Sequence, residues 1–498
     1  MAEKAGACKE CLEGAFLRMI WDCAEKRHWR ESLTGPPAKI SWGKSTLSSV
    51  RADATLLGFL KCSIEKKGPR MYATQQYLRK LQLLILALIC TSSFAAGWDT
   101  TFPSPPLNSA GYEVISDVNC LGSDIYVAIN GIDSGSNHYG YIARYSGGSW
   151  SGLPNSHVSG TISVLASTTV YNQSAKLFVG GSFNSVGNTN LPATNVAVLS
   201  LTSSPVWSAM VSGGVNGTDE AVHSLYAFEY WDNYFGTLYS RAMVYVGGSF
   251  TTAGNKTTPC IARWSGFGYL AAGWEIVGGG VEEIDGSRWV EDISVDHTSG
   301  AYPTSINAIY LSGWFKKTLA SGTVFNSAKY SSSWNWTGSG LGGIGLPETG
   351  CTPFWYSYYN FRGHSVAHIG NVAYYGGYFT CAADKNGQLK YYAPGSGCSC
   401  SLCSAYGVAV AQLSSSDILT LPNPNNLIGS ASSLTAKGSD LYAGGNFENI
   451  SGTQFYAAKL SYGSWINLGG PTAPVLDTAA NSTSVYFATH SEIFRYIP

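Results

Sequence analysis

The side chains with most chemistry to offer sit at related places along the chain. Asp117, Asp292 and Asp477 each lie in a short apolar segment of the same kind, and His364 and His368 stand four residues apart in another. Strand alternation places residues four apart on one face. Carboxylates and imidazoles converging from several strands would hold a cation or form a weak acid–base centre. Their plainer use is to hydrogen-bond neighbouring backbone and tie strands together, which is the expectation here. No conventional catalytic motif is present, so no catalytic residue, metal or cofactor is assigned.

Seven cysteines follow residue 96: Cys120, Cys260, Cys351, Cys381, Cys398, Cys400 and Cys403. In an oxidising compartment they are disulfide candidates that pin an irregular insertion, with pairing left open. The run CSCSLC at Cys398–Cys403 would alternatively bind a metal through thiolates. Seven is odd, so one thiol is expected to be free, buried or paired with another chain. Asn172, Asn216, Asn255, Asn335, Asn449 and Asn481 match the N-glycosylation sequon, at about the frequency chance gives.

Two segments are unusually aromatic, FEYWDNYFGTLY at 228–239 and FWYSYYNF at 354–361. Sugars stack their apolar faces on exposed rings while their hydroxyls take hydrogen bonds. Tyr230, Trp231, Tyr234, Trp355, Tyr356 and Tyr358 are therefore the candidate ligand-binding residues. The competing reading is that both segments only cap the protein's own surface.

These groups need a scaffold, and the sequence writes it as a repeat. An apolar strand ending in small residues recurs as IYVAING (125–131), LFVGGSF (177–183), VYVGGSF (244–250), IYLSGWF (309–315), AYYGGYF (373–379), LYAGGNF (441–447) and VYFATHS (485–491). A short strand precedes each; a second apolar strand and a Trp-bearing strand follow most of them. Four strands repeated radially make a propeller blade. With 58 Gly, 31 Tyr, 15 Trp and 12% charged residues, the chain is expected to be all-β: one β-propeller of about seven four-stranded blades. Glycine pairs mark close backbone approach, and the Phe and Trp are expected to fill the wedges between blades. The last unit lacks its Trp strand, while GWDTTFPSP at 97–105 matches that strand and belongs to no unit. The N- and C-terminal strands are therefore expected to pair and close the ring.

The pattern apolar-Gly-Gly-x-Phe, Ala-Gly-Asn at 253–255, Ile-Ala-Arg-Trp-Ser-Gly at 261–266 and then Trp resembles the kelch-like propeller repeats of secreted bacterial proteins and fungal cell-surface cortical markers. The resemblance covers residues 97–498. It implies a kelch-like or galactose-oxidase-like propeller and an extracellular, often non-catalytic, binding or cell-surface role. Units one and seven depart from the Gly-Gly pattern, and no copper-ligand constellation of the galactose oxidase kind is identifiable.

Upstream, residues 71–95 carry Arg79 and Lys80, the apolar run 81–90 and small residues at 93–96. That order is a secretory signal peptide. Residues 1–70 are either leader sequence ahead of a start at Met71 or the basic tail of a signal anchor, although ten apolar residues are about half of a membrane span. The propeller is assigned 96–498, with insertions near 227–242 and 345–404. From Gly97 onward 15 basic side chains face 23 acidic ones, which excludes a nucleic-acid partner. The expected function is a secreted or cell-surface, non-enzymatic binding or adhesion protein whose partner is a glycan, an extracellular protein or itself. The alternative is a self-assembling structural component of a surface layer or filament, and an oxidase- or hydrolase-like enzyme comes third.

Overall fold

The computed structural model describes residues 96–498, apart from 109–111, 213–214, 269–270, 285, 299–303, 320–321, 332–335, 338–342, 345–361, 380, 384–388, 392–407, 414–418, 421–426 and 449–452. Residues 1–95, with the expected signal peptide, lie outside the described residues. So do Trp355, Tyr356, Tyr358, Cys351, Cys398, Cys400, Cys403, Asn335 and Asn449.

Among the described residues every regular element is a strand, and the pairings resolve into seven four-stranded antiparallel blades. Blade 1 is Val114–Leu121, Asp124–Ile132, His138–Ser146 and Ser149–Gly152. Blades 2 to 6 begin with Val158–Thr168, Val222–Tyr234, Trp289–His297, Arg362–Ile369 and Ile428–Lys437, and each first strand leads a ladder of the same order. Blade 7 takes three strands from the C-terminus, Asp477–Ala480, Val485–Ala488 and Ile493–Ile497, and its fourth, Gly97–Trp98, from the other end. Each first strand touches the first strands on either side, and the seventh touches the first. The ring is closed as the sequence predicts.

Each glycine of the Gly-Gly signature has its own reason. In six blades the first strand skips one residue of register, at Ser116, Ser163, His223, Glu291, His364 and Ser432, and such a bulge swings the backbone towards its partner. A Cβ on Gly181, Gly248 or Gly445 would lie 2.1 Å from the carbonyl oxygen of Thr161, Ala221 or Ser430 on the bulged strand. The first glycine meets the next blade instead: a Cβ on Gly180, Gly247 or Gly444 would run into Val222, Val290 or Val475. One glycine lets the bulge form; the other lets blades stack.

The tryptophans clasp neighbouring blades. Trp274 Nε1 of blade 3 donates to the Met210 carbonyl just past blade 2 (2.9 Å), and Trp150 of blade 1 to Pro103 (2.8 Å). Trp207 reaches Asn155, and Trp98 of blade 7 donates to the Leu468 carbonyl just past blade 6 (2.7 Å). Trp98 also packs edge-on against Phe487 and Tyr496, and Asp99 ion-pairs with Arg495. Core clusters run across blade boundaries: Phe178 of blade 2, for example, packs with Val244 and Trp264 of blade 3.

Candidate functional site

The innermost edge of each blade has no strand partner, so its N–H groups face the axis and need acceptors. In blades 1, 4 and 6 the residue just after the bulge supplies one to the following blade, and in blade 7 Asp477 does so without a bulge. Asp117 Oδ2 accepts from Leu165 N (2.9 Å), Asp292 Oδ2 from Val366 N (2.8 Å), Ser433 Oγ from Thr478 N (3.0 Å) and, across the closing seam, Asp477 Oδ2 from Val118 N (2.9 Å). Ser224 donates to Asp292 (3.3 Å) and Ser433 to Asp477 (2.9 Å). This belt is the tying role expected of the aspartates.

Inside the belt lies a cavity of about 380 Å³ lined by residues of all seven first strands. Burial and the facing Asp477 carboxyl push Asp117 well above the usual carboxylate range. Burial lifts Asp292 to about 7 and raises Asp477 as well. Towards the strand ends the lining turns to Asn119, Tyr226, Ser294 and His368. Ser294 Oγ lies 2.7 Å from His368 Nδ1, and burial lowers the His368 pKa. His364 sits at the bulge, which breaks strand alternation, so the two histidines do not share the channel lining as strict alternation predicts. Among the described residues, no three His, Cys, Asp or Glu converge as a metal-ion site.

The turns joining first to second strands all lie at one end of the ring, since the first strands run side by side in one direction. Their heights differ. Blades 1, 5, 6 and 7 turn within a few residues, whereas blade 3 rises as a long hairpin paired from Val222↔Gly248 to Tyr234↔Thr237. The segment read as an insertion near 227–242 is thus a continuation of two blade strands, closed by Phe235 (φ 51°) and Gly236 (φ 80°). A two-residue turn with both φ positive matches strand twist.

This hairpin forms an aromatic wall beside the channel mouth, braced on both sides. On one face Phe228 stacks on His297 at 4.1 Å, and Tyr230 carries the Arg241 guanidinium 5.3 Å from its ring centre. Arg241 is itself paired with Asp232 at 2.9 Å. On the other face Trp231 meets Tyr171 at 5.5 Å, and Glu229 accepts from Tyr171 N (2.7 Å). Blade 4 holds the Trp231 backbone through Thr304 in both directions.

Of the candidate binding residues, Tyr230 has one face covered by Arg241 and Trp231 is half-buried. Tyr234 is placed only by its backbone pairing with Thr237. The open aromatic surface is instead Tyr171, 64% exposed beside Trp231, and Phe235, 91% exposed at the tip. Sequence reasoning passed over Tyr171, because a single Tyr in a turn carries no signal until the blade 3 hairpin sets Trp231 beside it.

Among the described residues, Cys120 and Cys260 are free thiols. Burial pushes both up to about 12, which suppresses the thiolate. Cys381 lies in the short strand Cys381–Ala383, paired with Leu389–Tyr391. Of the sequons, Asn172 and Asn255 are exposed, and Asn216 lies in the strand Val215–Asn216. Asn481 is half-buried, its Oδ1 accepting from the amides of Thr483 and Ser484. Among the described residues, no helix is long and apolar enough to cross a membrane.

No protein-family model and no curated protein matches the chain. Among solved structures it is similar to the WD40 β-propeller domain of Doa1, at 9% identity and a TM-score of 0.37 over 81% of this chain and 97% of that one. It is also similar to the computationally designed Ika8 protein (12%, TM-score 0.34, 77% and 96%) and to the six-bladed, fucose-recognising lectin of Aleuria aurantia (12%, TM-score 0.25, 74% and 100%).

Proposed function

We propose that this chain is an exported, non-catalytic binding protein that takes a glycan against the wall at the channel mouth. The observation that carries the reading is the Tyr171–Trp231 pair. It is an exposed ring set against a fixed, half-buried one, with the Glu229 carboxylate beside it, accepting from Tyr171 N. A sugar needs an apolar platform with hydrogen-bonding groups at its edge, and a rigid platform costs little ordering on binding. Brace contacts from blades 2 and 4 supply that rigidity. Export rests on the signal-like segment 71–95, and the apolar-Gly-Gly-x-Phe blades are read as kelch-like.

The test is a glycan-array screen of the parent protein and of a variant in which Asn233–Leu238 is replaced by Asn-Gly. That exchange keeps Asp232 and Tyr239 opposite one another and leaves a two-residue turn. It removes the exposed tip and keeps the Tyr171–Trp231 platform, so the parent and the variant are both expected to bind the same glycans. A folded parent that binds no glycan would overturn the proposal.

A further inference from the structure

We propose that the carboxyl belt makes closure of the ring acid-favoured, so that the seam between blades 7 and 1 weakens as pH rises. The geometry is specific to that seam. Asp477 reaches forward to Val118 N, the residue beside Asp117, and so brings the two carboxyls face to face. Asp117 Oδ2 also accepts from Leu165 N. While Asp117 holds its proton it donates to Asp477, and the pair is a hydrogen bond between a neutral acid and a carboxylate. When Asp117 releases that proton to water, two like charges confront one another in a low-dielectric cavity, with a third, Asp292, across the channel.

The surrounding charges do not relieve this. Tyr226 and His368, from blades 3 and 5, also line the cavity, and burial favours the neutral form of each. His297, kept neutral in the same way, and Asp296 belong to the far end of blade 4's first strand. Lys437 of blade 6 is committed to the Asn481 carbonyl at 2.5 Å, and Cys120 stays a thiol. A carboxyl whose pKa is higher in the folded ring than in the unfolded chain contributes fully below the unfolded value, about 4, and that contribution falls as pH rises through the folded value. For Asp292 the fall runs from about 4 to about 7, and for Asp117, held well above the usual carboxylate range, it likewise runs upward from about 4.

The experiment is thermal unfolding of the full chain against pH for wild type, Asp117→Asn and Asp292→Asn. An amide keeps the hydrogen bonds of the neutral acid at every pH. Asp117→Asn is therefore expected to match wild type below about pH 4 and to unfold at a higher temperature near pH 9. The ratio of the two folding constants should grow by up to about tenfold per pH unit between them. Parallel profiles would overturn the proposal. Should Asp117→Asn not fold, infrared difference spectra of Asp292→Asn decide: a protonated carboxylic-acid band that persists well above pH 4, where ordinary carboxyls ionise, supports it, and loss of every such band with the ordinary carboxyls overturns it.

Discussion

At the residue scale, small side chains control how closely backbones approach, and the cost of enlarging them follows from what they would touch. Gly181→Ala and Gly248→Ala drive a methyl into a carbonyl of the bulged strand, and each is expected to cost about 1–3 kcal/mol. Gly152→Ala, with open space around it, is expected to change stability by less than about 0.5 kcal/mol. Urea midpoints of the three variants check the contrast. Trp274→Phe keeps most of the buried ring and loses the bond to the Met210 carbonyl, an expected loss of about 0.5–1.5 kcal/mol by the same measurement. The glycine pairs and the tryptophans were legible in the sequence as close approach and packing. Their division of labour was not, because it depends on a bulge that shifts register by one residue and leaves no mark in composition. The same bulge defeated the alternation argument for His364 and His368.

At the element scale, the blade 3 hairpin separates this propeller from a plain ring. Its sequence contained the evidence for strands, since aromatic residues flank a Phe-Gly turn, yet a cluster of rings reads as readily as a surface loop. What the sequence could not show is that both sides are braced: Arg241 over Tyr230 depends on the blade 3 register, and Tyr171 beside Trp231 on a neighbouring blade. Shortening Asn233–Leu238 to Asn-Gly removes only the tip beyond Asp232, and the bracing contacts of Phe228, Tyr230 and Trp231 remain. The unfolding temperature is therefore expected to change by only a few degrees, checked by calorimetry, while Phe235 and its exposed apolar surface are lost.

At the scale of the whole molecule, closure carries opposite pH responses at two junctions. Where the N-terminal strand pairs with the C-terminal strand inside blade 7, hydrogen bonds from Thr101 and the Arg495 guanidinium hold the Asp99 carboxyl below its ordinary value. That contribution is present above about pH 4 and lost as pH falls through the folded value. Between blades 7 and 1 the Asp117–Asp477 pair weakens in the other direction. Trp98→Ala removes the ring that packs on Phe487, Phe494 and Tyr496, and is expected to cost about 2 kcal/mol or more in chemical denaturation. The closure itself was legible from a Trp strand at one end and its absence at the other. The acid pair was not, because facing carboxyls 360 residues apart meet only once the ring is shut.

The most direct test of the binding face is affinity for the strongest glycan on the array, compared between the parent and Tyr171→Ala. Both are made with Asn172→Gln, so that no attached sugar covers the neighbouring ring. Removal of one stacking platform is expected to weaken binding about tenfold or more with the unfolding temperature unchanged. An unchanged affinity in a folded Tyr171→Ala protein would contradict the account and move the site away from the wall.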